Sequence, residues 1–241
     1  MPSDRPALIE IFGPTVQGEG PDAGVPAHFV RLGGCDFRCE WCDSLHAVEP
    51  EFVRQAERVT GRELVRRVAA LPAGPRLVVL TGGNPALYDL AEPVALLHEL
   101  GYRVAVETQG SVWRPWLLDV DRLVISPKPP SAGRRAGHRV GALMFLDAAQ
   151  ALADRGRGAL KIVVFDRADL EYAIALRERA PDWPLYLSAG TPVGLGEEET
   201  RAAVAERYGW LAEQASRRRE LHAAVVLPQL HVIAWGTRRG V

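Results

Sequence analysis

Apolar residues along this chain come in short, unbroken runs, each closed by glycine, proline or a polar cluster. Ala27 to Leu32, Arg76 to Leu80, Arg103 to Glu107, Arg122 to Ser126, Leu160 to Phe165 and Leu185 to Ser188 are too short for buried helices and too uniformly apolar for half-exposed strands. They read as strands buried on both faces, the pattern of a parallel sheet. An earlier run, Leu8 to Phe12, predicts a short strand leading into a turn bounded by Gly13, Gly18 and Gly20. Helical spacing predicts helices over about Gly61 to Leu71, Tyr88 to Leu100 and Glu197 to Arg219. Strands alternating with helices argue for an α/β fold whose parallel sheet is covered on its outer face. About six such units fall short of the eight of a complete barrel, so the expected architecture is a partial, open parallel (β/α) barrel.

Composition adds limits to that picture. The 241 residues contain no Pro/Gly/Ser-rich linker and no shift in composition, which predicts one domain over 1–241. With 29 Lys+Arg against 30 Asp+Glu the net charge is −1, and no basic field is present to hold a nucleic-acid backbone. Arg217-Arg218-Arg219 reads as a solvated helix end. Met1 to Arg5 lacks the apolar core of a signal peptide, and no run approaches the roughly 18 apolar residues needed to span a bilayer, so no membrane partner is expected.

The chemistry is concentrated in one stretch. All three cysteines, Cys35, Cys39 and Cys42, fall in a Cys-x3-Cys-x2-Cys loop just after Gly33-Gly34. Thiols this close cannot staple distant parts of a fold; they suit one compact metal or cluster, and a reducing cytoplasm. A tetrahedral zinc wants four ligands, whereas a [4Fe–4S] cube held by three cysteines leaves one iron open for chemistry. A Cys3His zinc site remains an alternative, with His46, separated from Cys42 by three residues, as the fourth ligand.

Polar clusters recur just after the predicted strands: Thr81 to Asn84, Glu107 to Gln109, Ser126 to Lys128 and Ser188 to Gly190. In a parallel (β/α) barrel these positions share the rim where active sites are built. Each is weak alone, since turns need glycine and isolated polar residues often serve structure.

Together the pieces resemble a known family. The cysteine loop with Trp41 before its last thiol is similar to the cluster loop of radical S-adenosylmethionine (SAM) enzymes. Glu10-Ile11-Phe12, Gln17-Gly18-Glu19-Gly20, Phe29-Val30-Arg31, Trp41-Cys42-Asp43-Ser44, Thr81-Gly82-Gly83-Asn84-Pro85, Glu107-Thr108, Ser126-Pro127-Lys128 and Leu227-Pro228-Gln229-Leu230-His231 resemble the 7-carboxy-7-deazaguanine synthases, and they run along the whole chain. The resemblance implies a radical SAM carbon–nitrogen lyase of 7-deazapurine (queuosine-type) biosynthesis. Its reaction rearranges 6-carboxy-5,6,7,8-tetrahydropterin to 7-carboxy-7-deazaguanine with loss of ammonia, through a 5′-deoxyadenosyl radical. It also implies Mg2+, an external electron donor such as flavodoxin or ferredoxin, and a homodimer.

Carried over position by position, the resemblance makes Cys35, Cys39 and Cys42 the cluster ligands and Ser44 the Mg2+ ligand. SAM contacts fall on Gly83, Asn84, Ser126, Pro127, Lys128, Ser188, Ala189, Gly190 and Thr191. The pterin falls to Val16, Gln17, Gly18, Glu19, Arg31, Thr81 and His231, with Glu19 accepting ring N–H groups and Arg31 forking the substrate carboxylate. At Asn84 many radical SAM proteins carry Glu; an amide oxygen can still accept from the SAM ammonium, without the charge. In some members of that family the terminal carboxylate reaches the substrate, which would bring the tail from Trp235 to Val241 back over the site. A glycyl-radical activating enzyme, which shares the cysteine spacing but acts on a protein, is a further alternative.

Overall fold

The computed structural model describes residues 4–133 and 139–240. The first element, β1 (Ala7–Val16), is longer than the sequence pattern predicts, because the extended chain continues through Gly13-Pro14. It runs antiparallel to β2 (Pro26–Leu32), and Phe12 stacks on Phe29 with ring centroids 5.0 Å apart. The cysteine loop follows β2 and leads into two short helices, α1 (Leu45–Val48) and α2 (Pro50–Gln55). A two-residue strand, β3 (Glu57–Arg58), then pairs antiparallel with β1 at the sheet edge.

Regular strand–helix alternation begins at α3 (Gly61–Ala69), where the Thr60 hydroxyl accepts from Glu63 N–H and satisfies a free amide of the first turn. It continues through β4 (Leu77–Gly82), α4 (Ala91–Glu99), β5 (Arg103–Thr108), β6 (Arg122–Ile125), α5 (Arg139–Asp154), β7 (Gly158–Val164), α6 (Arg167–Arg179), β8 (Leu185–Ala189) and α7 (Glu197–Arg217). The sequence pattern did not predict α5 or α6. The described part of α5 and all of α6 offer mainly alanine and a few leucines to the core, which gives little periodic contrast. Asp166 starts α6 by accepting from Asp169 N–H. A last strand, β9 (Val225–Leu227), and a short helix, α8 (Leu230–Trp235), were also not predicted; both are too short to show a period.

The sheet has nine strands in the order β3-β1-β2-β4-β5-β6-β7-β8-β9, parallel from β2 to β9 and antiparallel only at β1 and β3. The expected open, mostly parallel sheet is therefore observed, with β9 as a seventh parallel strand and an antiparallel edge added at β1. Strand periodicity gives its faces different jobs. Val30, Leu32, Val78, Leu80, Val104, Val106, Ile125, Leu160 and Ile162 point one way and join the main core with the helices. Ala27, Phe29, Leu77, Val79 and Ala105 form a small second core on the opposite, inner face, capped by Phe12 and Val25.

That alternation decides where the chemistry lies. Continuing two residues beyond each inner-face apolar position gives Arg31 after Phe29, Thr81 after Val79 and Glu107 after Ala105; Lys161 follows Ala159 by the same step. Register sets Arg31 against Thr81, and the inner-face polar residues collect toward the C-terminal ends of the strands. The segment after β1 supplies the rest. It crosses this inner face, and its buried Asp22 pairs with Arg103 at 3.5 Å and Arg122 at 3.4 Å, both on the first residues of their strands.

Candidate active site

Seven polar side chains form one hydrogen-bonded network at the inner face. Lys161 Nζ donates to Glu19 Oε2 at 2.7 Å and to Glu107 Oε1 at 3.4 Å. Gln17 Nε2 donates to Glu107 Oε1 at 3.1 Å, and the Thr81 hydroxyl to Glu107 Oε2 at 3.0 Å. Gln229 Nε2 donates to Glu19 Oε1 at 3.0 Å, and the Thr191 hydroxyl donates to the Gln229 amide oxygen. Burial alone would raise the Glu19 carboxyl, yet Lys161 and, more weakly, His231 hold it below the usual carboxylate range. Burial pulls on Lys161 in the opposite sense, and Glu107 with Glu19 more than reverse it, so the ammonium is kept. Glu19 expected as a free acceptor is thus already held on both oxygens.

The turn around Gly18 joins this network to the C-terminal helix. Leu230 N–H donates to Gly18 O at 3.0 Å, and a side chain at Gly18 would collide with the His231 imidazole. His231 is therefore brought to the Gln17–Glu19 turn, and Val16 ends β1 immediately before it. The tail beyond α8 returns toward β1: a Cβ added at Gly240 would lie 4.0 Å from Phe12 Cβ. Val241 lies outside the described residues.

A second group links the inner face to the cysteine loop. Arg31 Nε donates to Glu10 Oε1 at 2.5 Å and its Nη1 to the Ser44 hydroxyl at 2.9 Å, while Ser44 donates to Asp43 at 3.0 Å. His46 Nε2 lies 3.5 Å from Glu10 Oε1. Burial, then the charges of Arg239 and Arg31, push the His46 imidazole below its ordinary value.

The three thiols are free and partly buried. Burial pushes Cys35 up to about 11 and Cys42 up to about 12 and raises Cys39, so without a metal they stay protonated near neutrality. The loop is pinned from several sides. Trp41 Nε1 donates to Ser131 Oγ at 3.0 Å, its ring lies 5.3 Å from that of Phe165, and Lys128 Nζ sits 5.7 Å over it. Gln109 Nε2 donates to Cys35 Sγ at 2.8 Å and to Gly83 O at 3.0 Å. Gly83 itself packs so closely on the Gly34 carbonyl that no Cβ fits.

The remaining expected SAM positions lie at or just past the ends of β4, β6 and β8. Lys128 Nζ donates to Ser126 Oγ at 3.1 Å, across Pro127. Ser188 and Ala189 end β8, the Ser188 hydroxyl is buried without a partner among the described residues, and Gly190 packs on the Phe165 ring. Asn84 differs from the expectation. Its amide oxygen accepts from Thr108 at 2.9 Å and from Ala86 N–H at 3.2 Å, and its amide nitrogen donates to Asp36 at 2.8 Å and Ser111 at 3.1 Å. Both lone pairs are occupied, so its side chain ties loops together and has no acceptor left for an ammonium.

The donor set fits a three-thiolate cluster: accessible free thiols on one loop, an amide N–H on a sulfur, and a buried hydroxyl unmatched at the neighbouring rim. The zinc alternative gains no support, since its fourth ligand, His46, lies 3.5 Å from Glu10 Oε1 and is engaged there. Sequence reasoning left Lys161, Glu107 and Gln229 out of the candidate site residues. The signal for Lys161 was present, because a lone lysine inside Gly-Ala-Leu-Lys-Ile-Val-Val needs a buried partner.

An open parallel (β/α) barrel with a three-cysteine loop at its rim defines a radical SAM protein, and a profile of the radical SAM superfamily matches residues 29–176. A 7-carboxy-7-deazaguanine synthase from Bacillus cereus is 39% identical over 240 residues, covering 97% of this chain and 98% of that protein. The one from Bacillus subtilis is 35% identical, with 97% and 98% covered. The crystal structure of QueE from Escherichia coli shares the fold at a TM-score of 0.65 and 24% identity, covering 94% of this chain and 95% of that one. The chain belongs to the 7-carboxy-7-deazaguanine synthase family. Membership brings a [4Fe–4S] cluster and SAM as cofactors, lyase chemistry on a small molecule, and dependence on a reducing partner. A protein-activating role is not favoured, and among the described residues no helix is long and apolar enough to cross a membrane.

Proposed function

We propose that the chain rearranges 6-carboxy-5,6,7,8-tetrahydropterin to 7-carboxy-7-deazaguanine with release of ammonia. One observation carries this reading: a buried, charged hydrogen-bonding face of Gln17, Glu19, Thr81, Glu107 and Lys161 lies on the same sheet as the cysteine loop. A pterin presents ring N–H and amino donors along its pyrimidine edge, which ionised carboxylates accept, and its own carboxylate suits the guanidinium N–H groups of Arg31 left free by Glu10 and Ser44. His231 closes the turn at Gly18, with Val16 behind it.

Cys35, Cys39 and Cys42 would hold the cluster, with Gly83, Ser126, Pro127, Lys128 and Ser188 to Thr191 about SAM, Asn84 contributing backbone and loop order, and Ser44 as ligand to Mg2+. Bound there, cluster and SAM supply a carbon radical that takes a hydrogen atom from the substrate. The protein's part is to orient the ring and exclude water. In this reading one domain over 1–241 acts as a homodimer in the cytoplasm, reduced by a flavodoxin or ferredoxin.

The test is anaerobic reconstitution and assay with 6-carboxytetrahydropterin, comparing the parent with Glu19→Gln and Arg31→Lys. Product formation by the parent, and pterin binding weakened about tenfold or more in each variant, is expected, the usual cost of disturbing a charge-assisted hydrogen bond. Variants that bind the pterin as tightly as the parent would place the substrate elsewhere.

A further inference from the structure

A lysine in the middle of a buried strand is expensive unless paired, and Lys161 is only 5% exposed. Its partners are two carboxylates from distant parts of the chain, Glu19 in the turn after β1 and Glu107 at the end of β5. We propose that Lys161 is a positioning residue for substrate recognition: from between Glu19 and Glu107 it holds both carboxylates in place, ready to accept the N–H edge of a pterin-like ring. This inference rests on the function proposed above.

The geometry goes beyond a structural ion pair. Each carboxylate has further ties, Glu19 to Gln229 at 3.0 Å and Glu107 to Gln17 at 3.1 Å and Thr81 at 3.0 Å, so both are oriented before any ligand arrives. An ionised carboxylate has about four lone-pair sites, so acceptor capacity remains on each. The backbone under Glu19 is held separately, by Glu19 N–H on the Gln17 amide oxygen at 3.3 Å and by Asp22 on Arg103 and Arg122. Gly20, in a left-handed conformation with φ of 64°, lies against the Lys161 stem. Removing the ammonium therefore changes charge more than position. Buried ion pairs add little net stability, so stability alone does not account for the lysine.

Without Lys161, Glu19 loses the main charge that offsets its burial and takes up a proton more readily. The other charged groups facing the triad are Asp43 from the cysteine loop, which disfavours the Glu19 anion, and His231 from α8, which favours it. A protonated carboxyl presents an O–H where the ring needs an acceptor, so recognition becomes pH-dependent in a range where the parent's is not.

The experiment compares the reconstituted parent, Lys161→Met and Lys161→Arg between about pH 6 and pH 8. The parent KM for the pterin is expected to be flat. In Lys161→Met it should be raised about tenfold at the upper end and climb further as pH falls, with kcat changing less than KM. Lys161→Arg should restore the flat profile. A flat KM in Lys161→Met overturns the proposal. Should that variant fail to retain iron, titration calorimetry of the parent with the pterin, in buffers of different ionisation enthalpy near pH 6.5, decides. No net proton uptake supports carboxylates already ionised, and uptake of about one proton overturns it. A parent that cleaves SAM but binds no pterin instead overturns the proposed function, a result distinct from a pterin-binding parent beside an unaltered Lys161→Met.

Discussion

Ser44 stands at the N-cap of α1, yet its hydroxyl makes no capping bond. It donates to Asp43 at 3.0 Å and accepts from Arg31 at 2.9 Å. The hydroxyl therefore does not serve as a helix cap. The Ser44 oxygen keeps a second lone pair, so in the proposed role a hard cation would sit beside the Arg31 contact, with Asp43 offsetting the local positive charge. Ser44→Ala is expected to lower activity several-fold and to flatten its response to added Mg2+, with iron content and cluster absorbance unchanged. A variant whose Mg2+ response equals the parent's would end the role proposed for this hydroxyl. At Asn84, too, partners in space bear on a role that position alone suggests. The residue stands where an acceptor for SAM is common, but two donors nearby in space, Thr108 and Ala86, use its oxygen.

At the scale of elements, the site depends on α8 lying against the turn after β1. The contact is tight because Gly18 has no side chain: a Cβ there would overlap the His231 imidazole and crowd its backbone. Gly18→Ala should push α8 outward and loosen both His231 and the Gln229 contact to Glu19. The expected result is a KM for the pterin raised about tenfold, as overpacking by one methyl group commonly disturbs a close contact by ~1–3 kcal/mol. Adding His231→Ala should not lower affinity further, since that contact is already lost. Strictly additive losses in the double variant would show that the two positions act independently. The cysteine loop is an element of the same kind. Its shape comes from Trp41 wedged between Ser131, Phe165 and Lys128, three partners contributed by later parts of the chain.

For the molecule as a whole, burial of titratable groups links stability to pH. His28 on β2 is buried, its Nδ1 has no partner among the described residues, and burial lowers its imidazole below 6.5. The unfolded chain then binds this proton more readily than the folded one, so stability is full above about pH 6.5 and declines below it. Glu19, whose carboxyl is lowered from 4.5, acts at a lower range: its contribution is present above about pH 4.5 and is lost as pH falls through the folded value. Thermal melts should therefore show Tm falling in two stages on acidification, the first shared by His28 and His46, and His28→Gln should reduce that first stage. A single drop confined to the lower range would contradict the burial argument for His28.

The strand runs, the outer-face helices that show a clear period, the open parallel sheet and the cysteine loop are local facts of this sequence, because apolar runs, periodicity and ligand spacing act over a few residues. Placement of Arg31, Thr81 and Glu107 near a common rim also follows from strand period once the sheet is parallel. Pairing across long separations does not. Nothing near Lys161 in the chain names Glu19, 142 residues away, or indicates that Gln229 would reach the same carboxylate from 210 residues away. Only the sheet order, with β1 turned antiparallel at the edge so that its following turn crosses the inner face, brings those charges together. Whether each candidate is free to bind or already engaged is likewise a tertiary fact, because hydrogen-bond partners are set by distance in space and not by order in the chain.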